Sequence, residues 1–425
     1  MIRLDNRDAD FGARFAALVN ARREADSDVS RDVAAIVADV KARGDAAVAD
    51  YTQRFDAHSL DWRISLAECQ TALTALDPDL RAALELAASR IRAYHEKQRP
   101  ADSDSIDEAG VRLGARWRAV DAAGVYVPGG RAAYPSSVLM NAIPAKVAGV
   151  ERLVMVTPTP GGVINPLVLA AAALAGVDEV WRIGGAQAVA ALAYGTDSIA
   201  PVDVITGPGN AWVAEAKRQL YGVVGIDMVA GPSEIVVVAD GLSNPQWIAA
   251  DLLSQAEHDP TSQSILFTDN GAFADAVVEA VEAQLKKLAT EATARASWDT
   301  YGAVILVQNL SETPPLVDQL APEHLELCVE DPEMLFKAVR HAGSIFLGRY
   351  TPEAVGDYVA GPNHVLPTGR RARFSSGLSV LDFMKRTSFL GCSAQSIAAI
   401  GPAAALLANA EGLPAHAASV SARLS

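Results

Sequence analysis

The chain has 425 residues, and half of them are apolar, which is enough to build the cores of two or three domains of ordinary size. Its 36 basic and 51 acidic residues leave a formal net charge of −15, which argues against a nucleic acid or an anionic membrane as partner. Anionic ligands are still permitted, because backbone amides and helix N-termini bind them without basic side chains.

In chain order, the first predicted elements are helices. Mixed polar and apolar residues with the pattern of helices occur over 11–24, 30–55 and 75–98, and alternation over 111–120 predicts a strand. The first thirty residues contain several acidic residues and no apolar stretch typical of a secretory signal.

From residue 124 to residue 222, strand-like runs alternate with helical segments. The predicted strands are 153–156, 179–183 and 203–206, and the predicted helices are 166–175, 187–194 and 211–220. A second series of the same kind runs from 234–239 to 344–347. This order is typical of βαβ units that build parallel sheets, so two α/β units in tandem are predicted.

The last segment, 379–425, is rich in alanine and mostly helical in pattern, with a break at 412–414. Its stretch 398–408 carries little polar surface, so the segment is expected to pack against another surface, for which a second subunit is one candidate.

The cysteines and the longest uncharged run bear on whether the protein is secreted or crosses a membrane. Cys69, Cys328 and Cys392 are far apart and no CxxC pair exists, so neither a thiolate zinc site nor a disulfide framework is predicted. The run 153–177 is broken by prolines and glycines, which argues against a membrane span. A soluble, cytoplasmic protein is therefore expected.

Three glycine-rich turns lie in the first α/β unit, at 127–131, 183–187 and 206–210. Two of them follow predicted strands and open helices, where helix N-termini bind pyrophosphate in dinucleotide-binding folds. None of the three is a G-x-G-x-x-G fingerprint, and glycine-rich turns occur in any α/β protein. A nucleotide site and a purely structural role are both consistent with these turns.

The segment 251–260 contains the first candidate metal ligands. A helix is expected from Asn244, its N-cap, to a stop at Pro260. Gln255 and His258 lie three residues apart near its end, so their side chains share one face and can reach one point. A neutral imidazole suits zinc, whereas a glutamine carbonyl is a rarer ligand. The alternative is a polar helix end that faces solvent.

Glu323 and His324 place a carboxylate beside an imidazole. Such a pair can divide acid–base work, because one group can activate water while the other takes a proton from an alcohol. The alternative interpretation is a surface turn after Pro322.

Two further segments hold residues that suit a metal. Asp357 and His364 belong to a loop-like stretch, and His416 follows a Gly-Pro break in the C-terminal helices. With Gln255 and His258, Asp357 and His416 would form an oxygen- and nitrogen-rich set suited to zinc or manganese, although spacing alone does not show that they meet. The remaining histidines are expected to face solvent: His58, His95 and His341.

Together these segments resemble the histidinol dehydrogenase family over nearly the whole chain, from residue 40 to residue 416. The motifs that carry the resemblance are GVYVPGG at 124–130, YPSSVLM at 134–140, GGAQ at 184–187, GPGN at 207–210, AGPSE at 230–234, the helix with Gln255 and His258, PEHL at 322–325, NHVLP at 363–367, and Glu411 with His416. The catalytic positions show no departure from the family's pattern.

The resemblance implies a four-electron oxidation of L-histidinol to L-histidine, the last step of histidine biosynthesis, with two NAD and a bound L-histidinaldehyde. Glu323 would activate the water that hydrates the aldehyde, and His324 would take the hydroxyl proton as hydride leaves. The resemblance also implies zinc, with the ligands Gln255, His258, Asp357 and His416.

Other residues match binding positions of the family. Tyr126, Gln187 and Asn210 match its contacts to NAD. The implied contacts to the substrate are Ser233, Gln255, His258, His324, Asp357, His364, Glu411 and His416.

The family fold implies two Rossmann-like parallel-sheet α/β domains, one inserted in the other. The expected organisation is a helical segment at 1–21, a catalytic domain at 22–126 and 234–378, an NAD-binding domain at 127–233, and a helical dimerisation segment at 379–425. A homodimer whose subunits share each active site is implied, with no nucleic acid or membrane partner.

Three other functions are consistent with the same motifs. A paralogous zinc- and NAD-dependent dehydrogenase would oxidise another polar alcohol, such as a sulfonated diol. A zinc hydrolase would use Glu323 as its base. A non-catalytic nucleotide-binding regulator would retain the fold, but the intact Glu323–His324 pair argues against it.

Overall fold

The computed structural model describes residues 1–21, 29–129, 134–229 and 231–424. Its strands are β1 Ile2–Asp5, β2 Arg63–Ile64, β3 Ser103–Ile106, β4 Arg112–Ala119, β5 Ala122–Tyr126, β6 Arg152–Val156, β7 Glu179–Trp181, β8 Val204–Thr206, β9 Gly225–Ile226, β10 Glu234–Ala239, β11 Gln263–Thr268, β12 Ala303–Leu306, β13 His324–Cys328, β14 Ser344–Leu347 and β15 Met384–Gly391.

The helices separate these strands in a regular βα alternation through most of the chain. They are α1 Phe11–Asn20, α2 Ser30–Arg43, α3 Asp45–Asp56, α4 Leu66–Thr74, α5 Pro78–Glu96, α6 Pro135–Ala148, α7 Pro166–Ala175, α8 Gly185–Tyr194, α9 Ala211–Leu220, α10 Pro245–Ala256, α11 Gly271–Leu285, α12 Glu291–Tyr301, α13 Thr313–Leu320, α14 Glu333–Ala338, α15 Glu353–Val355, α16 Ala394–Ala410 and α17 Pro414–Ser421. The short α15 continues as one π-helical turn, Gly356–Ala360.

Six strands form a fully parallel sheet, sheet I, in the order β1-β12-β11-β10-β13-β14. Its central strand β10 has the sequence EIVVVA and is buried along its whole length, because a parallel sheet is covered on both faces. Helices α10, α11 and α12 pack on one face, and α1, α13 and α14 pack on the other. The second predicted α/β unit is thereby confirmed.

A second six-stranded sheet, sheet II, has the order β2-β7-β6-β5-β8-β9 and is parallel except for the antiparallel pair β2–β7. Helices α4 to α7 cover one face, and α2, α3, α8 and α9 cover the other. The chain runs outward from β5 through β6 to β7 and then returns to the other side of β5 as β8. The boundary between β5 and β8 is therefore a topological switch point, where open α/β sheets bind ligands.

The strand membership differs from the expected organisation in two places. Residues 1–21, expected to be helical, begin with β1, whose Ile2 pairs with Ala303 at the edge of sheet I. Residues 29–126, expected to belong with 234–378, instead contribute β2 and the central strand β5 to sheet II. Because β5 is buried along its whole length and pairs with β6 on one side and β8 on the other, it belongs to sheet II and not to sheet I. The expected boundary at residue 22 lies outside the described residues.

A small antiparallel sheet and two helices complete the chain. Sheet III has the order β15-β4-β3 and contains the strand predicted near 111–120. The C-terminal segment, predicted to be mostly helical, contributes the strand β15 to this sheet, and its helices α16 and α17 pack against each other. Several of their apolar residues are exposed, namely Ile400, Leu406, Leu407 and Leu413. Within the described ranges, every helix is too short or too polar to cross a lipid bilayer.

Candidate active site

Three elements bring polar side chains together at the amino end of β13. Side chains alternate between the two faces of a strand. Cys328 therefore packs in the core under α10, with His324 and Glu326 on the same side, whereas Leu325 and Leu327 join the core on the opposite face. The other two elements are the end of α10 and the turn that follows α15.

Helix α10 carries Gln255 just before its end, and His258 lies in the turn that follows. The predicted N-cap is confirmed, since the Asn244 side chain accepts a hydrogen bond from the Gln246 N–H at 2.9 Å. The Gln255 Nε2 lies 3.1 Å from the His258 Nδ1, so the two side chains meet at one point. Gln255 is fully buried, which excludes the alternative of a solvent-facing helix end.

The His324 ring is only 3% exposed, and its two nitrogens have different surroundings. Nδ1 lies 3.0 Å from the carbonyl oxygen of Glu234, which can only accept, so Nδ1 carries the hydrogen of the neutral ring. Nε2 therefore holds the lone pair, and it has no hydrogen-bond partner among the described residues. It lies 3.7 Å from the Asp357 Oδ1 and 3.8 Å from the Glu353 Oε1. This burial excludes a surface turn.

The charges around His324 favour proton exchange. Burial alone would lower the pKa of His324, but the carboxylates of Glu353, Glu323 and Asp357 raise it well above its ordinary value. Burial raises the pKa of Glu323 to about 8 and that of Glu353 to about 7, although the nearby His324 opposes both shifts. The Glu323 Oε2 also accepts a hydrogen bond from the Glu234 N–H at 3.0 Å. Glu323 and Glu353 can therefore exchange protons near neutral pH.

Gln255, His258 and Asp357 form an oxygen- and nitrogen-rich group beside His324. The Gln255 Oε1 is buried without a hydrogen-bond partner in the described ranges, and a cation would satisfy it. Burial lowers the pKa of His258, which keeps the imidazole in the neutral form that binds metals. Burial alone would raise the pKa of Asp357, but the nearby histidines lower it by more and keep the carboxylate ionised. These three residues fit a zinc-type cation.

Of the other expected substrate contacts, His364 lies beside Asp357, whereas Glu411 and His416 lie elsewhere. The His364 Nε2 is 3.5 Å from the Ser137 Oγ of α6, and Ser233 directly precedes β10. Glu411 and His416 lie on and after the exposed turn between α16 and α17. In the part of the chain that the structure describes, neither side chain forms a hydrogen bond or ion pair with the group around His324. Within one chain, the residues expected to contact the substrate are therefore not all brought together.

Two of the glycine-rich turns meet at the carboxyl edge of sheet II. A Cβ at Gly129 would lie 2.4 Å from the carbonyl oxygen of Pro158, and one at Gly184 would lie 2.3 Å from the Pro158 Cβ. Neither position admits a side chain, so glycine permits both turns to pack closely against Pro158. The end of the first turn falls in residues 130–133, which lie outside the described residues.

The residues expected to contact NAD surround this edge. Tyr126 ends β5, and its hydroxyl accepts a hydrogen bond from the Gly185 N–H at 3.0 Å. Gln187 is buried in α8, and within the described residues its Oε1 has no hydrogen-bond partner. Asn210 follows β8 and caps α9 by accepting from the Trp212 N–H at 3.1 Å. An unpaired amide oxygen and two helix N-termini at the switch point fit a dinucleotide.

Sequence reasoning missed a group of buried carboxyls behind His324. Glu353 donates its backbone N–H to the Glu326 Oε1 at 2.7 Å. Burial raises the pKa of Asp251 to about 6, and burial with the nearby Asp251 raises that of Glu326 well above its ordinary value. Residue spacing could have indicated both carboxyls. Glu326 follows His324 by two residues, so in a strand the two side chains share a face, and Glu353 precedes Asp357 by one helical turn.

Two histidines that were expected to face solvent are buried, so that prediction was wrong. The His95 Nδ1 lies 2.7 Å from the carbonyl oxygen of Ile91, and the His58 Nε2 lies 2.9 Å from the Thr159 Oγ1. His341 is half-buried. Polar neighbours along the chain do not reveal which face of an element packs inward.

Two parallel-sheet domains, one with buried acid–base groups and one with glycine-rich βα turns, are the architecture of a two-domain α/β enzyme. The comparisons with known proteins are more specific. The sequence model of the histidinol dehydrogenase family matches residues 19–424. The chain is 66% identical to the histidinol dehydrogenase of Zymomonas mobilis subsp. mobilis, covering 100% of this chain and 99% of that protein.

Further relatives agree. The chain is 64% identical to the histidinol dehydrogenase of Rhodospirillum rubrum, covering 100% of this chain and 98% of that protein. The crystal structure of histidinol dehydrogenase from Elizabethkingia anophelis matches with a TM-score of 0.95 at 36% identity, covering 100% of this chain and 98% of that one. The chain therefore belongs to the histidinol dehydrogenase family, a family of oxidoreductases, as its motifs predicted.

Proposed function

We propose that this chain oxidises L-histidinol to L-histidine through bound L-histidinaldehyde, with two NAD, as the last step of histidine biosynthesis. The observation that carries the proposal is the buried Nε2 of His324, which has no hydrogen-bond partner among the described residues and, in the neutral ring, directs its lone pair beside the Gln255–His258–Asp357 group. Family membership supports the substrate, and the position of this nitrogen supports a base.

The direct test is the absorbance of NADH after mixing the protein with NAD and histidinol. Two NADH for each histidinol consumed would support the proposal. One NADH, or slow turnover, would indicate a paralogue for another polar alcohol, such as a sulfonated diol. No NADH would leave the zinc hydrolase and the non-catalytic regulator, which an ester or amide substrate screen would separate.

Gln255, His258 and Asp357 would hold zinc from one chain, and His416 from a second copy would complete the set. The neutral state of His258 and the ionised state of Asp357 support this assignment. When bound, the metal anchors nitrogen atoms of the substrate and so orients it without having to polarise the reacting alcohol.

NAD binding is assigned to the carboxyl edge of sheet II, with contacts from Tyr126, Gln187 and Asn210. The support is the Oε1 of Gln187, which has no hydrogen-bond partner within the described residues, and the close packing of two glycine-rich turns against Pro158. Ser233, His364 and Glu411 would complete the contacts to the substrate.

His324 is the base of the alcohol step. Because the Glu234 carbonyl holds the Nδ1–H, Nε2 accepts the hydroxyl proton while the hydride leaves the carbinol carbon for NAD. The electron pair of the O–H bond becomes the second bond of the aldehyde C=O. The Glu353 carboxylate then faces the imidazolium and stabilises its charge.

Glu323 acts in the aldehyde step. Its carboxylate takes a proton from a water molecule whose oxygen bonds to the aldehyde carbon, and the imidazolium of His324 gives its proton to the aldehyde oxygen. The resulting diol then loses a hydride to the second NAD and a hydroxyl proton to the neutral His324, which gives the acid. Burial raises the pKa of Glu323 to about 8, which makes its carboxylate a stronger base than that of an exposed glutamate, and the ionised fraction grows as the pH rises towards this value.

We expect Glu323→Gln to impair oxidation of histidinaldehyde by at least about 100-fold, because an amide cannot take a proton from water. Reduction of histidinaldehyde to histidinol by NADH should fall much less, since this reaction reverses the alcohol step and needs no water. Both rates are followed by NADH absorbance. The matched control is Glu330→Gln, which removes an exposed carboxylate from the same strand region. Equal losses in both directions would contradict the assigned role.

We expect His324→Gln to slow the overall reaction and to flatten its dependence on pH. Only the neutral imidazole accepts a proton, and the surrounding carboxylates raise the pKa of His324. The rate of alcohol oxidation by the unaltered protein should therefore rise with pH as the imidazolium loses its proton, and glutamine removes this titration. A pH–rate profile of unchanged shape in the variant would exclude His324 as the base.

The chain is proposed to work as a homodimer whose active sites contain Glu411 and His416 from the other copy. The exposed Leu406 and Leu407 on α16 support this arrangement, because a monomer gains nothing from apolar residues in water. The position of His416 just beyond that surface is the second support.

A further inference from the structure

A buried ion pair lies beneath the third glycine-rich turn, and the acid–base chemistry does not use it. Lys217 of α9 pairs through Nζ with the Oδ1 of Asp227, which follows β9. The two side chains are only 3% and 1% exposed. A buried ion pair adds little net stability compared with apolar side chains of similar volume, so its presence suggests a role other than general stability.

Both members of the pair bind the backbone of the same residue of the turn, Gly207. The Lys217 Nζ donates to the carbonyl oxygen of Gly207 at 3.0 Å. The N–H of Gly207 donates to the Asp227 Oδ2 at 2.8 Å. The cation and the anion therefore hold Gly207 from its two backbone groups, and each remains paired with the other.

Gly207 has little other freedom at this position. Its φ is +111°, and a Cβ there would lie 2.1 Å from the carbonyl oxygen of Tyr126. Three residues later, Asn210 opens α9 as its N-cap. Gly207, held by the ion pair, therefore fixes the spacing between the end of β5 and the start of α9 at the switch point of sheet II.

We propose that Lys217 and Asp227 are positioning residues for NAD, which hold the Gly207–Asn210 turn in the conformation that receives the dinucleotide. This inference rests on the proposed assignment of NAD to this edge of sheet II. The pair does not touch NAD and acts through the turn.

The test compares Lys217→Met with a matched control, Lys146→Met. Lys146 also forms an ion pair in the same domain, with Asp178 at 2.5 Å, but this pair lies at the opposite edge, where Asp178 accepts a hydrogen bond from the Leu153 N–H. The dissociation constant for NAD is measured by calorimetry, together with the KM for NAD, the KM for histidinol, and bound zinc.

We expect Lys217→Met to weaken NAD binding by at least about tenfold and to raise the KM for NAD in parallel. The KM for histidinol and the zinc content should stay at their original values, because the metal and substrate residues belong mainly to sheet I. Lys146→Met should leave all four quantities unchanged.

A second variant separates positioning from stability. The double variant Lys217→Met/Asp227→Asn removes both charges, so its thermal stability should exceed that of Lys217→Met, in which Asp227 is buried without its cation. NAD binding should stay weak in the double variant, since the lysine contact to the Gly207 carbonyl is still missing. Recovery of NAD affinity together with stability would overturn the inference.

The inference and the proposed function fail in different ways. If the unaltered protein binds no NAD and produces no NADH, the proposed function is wrong. If the unaltered protein binds NAD and Lys217→Met binds it equally well, only the positioning role is wrong.

Discussion

His258→Asn is expected to lose bound zinc and most of the activity while the fold is retained. The His258 imidazole contacts Gln255 at the end of α10. Burial lowers its pKa and keeps the ring neutral, so that it has a lone pair with which to bind a metal cation. Loss of a supporting residue of a metal site already costs 10- to 100-fold, so we expect the loss of a direct ligand to lower the rate by more than about 100-fold. Metal analysis of the purified variant measures the zinc, and circular dichroism measures the fold.

His341→Asn is the matched control for this variant. His341 is half-buried and lies before β14, outside the Gln255–His258–Asp357 group. The control should keep both zinc and activity. Full zinc occupancy in His258→Asn would contradict the assignment of His258 as a ligand.

Mixed dimers of His258→Ala and His416→Ala are expected to regain activity that neither variant has alone. If His416 completes the site of the other subunit, each mixed dimer contains one site with both defects and one site with neither. Random association makes half of the dimers mixed, so about a quarter of the sites should be intact. The two variants are unfolded together, refolded and assayed with NAD and histidinol.

The negative control mixes His258→Ala with Gln255→Ala. Both residues belong to the same chain's cluster, so each site of a mixed dimer carries one defect and no activity should return. Tagged subunits show whether mixed dimers have formed. If His258→Ala and His416→Ala form mixed dimers without recovering activity, the shared-site arrangement is wrong.

The sequence alone determined the local structure of most of the chain. Alternating strand and helix patterns predicted parallel sheets, which β6 to β8 and β10 to β14 form. The helix from Asn244 begins as predicted because the cap is a contact between residues two apart, which sequence displays directly. The spacing of Gln255 and His258 likewise predicted one shared face, since three residues make most of a helical turn.

The tertiary structure decided which elements share a sheet and which side chains share a site. A four-residue strand such as β1 has no periodic signal, and its pairing with β12 joins residues some three hundred positions apart. Glu353 reaches His324, and Lys217 and Asp227 reach Gly207, only because separate elements pack together. Sequence patterns record contacts within one or two turns of the chain, whereas these contacts depend on long-range packing of the hydrophobic cores.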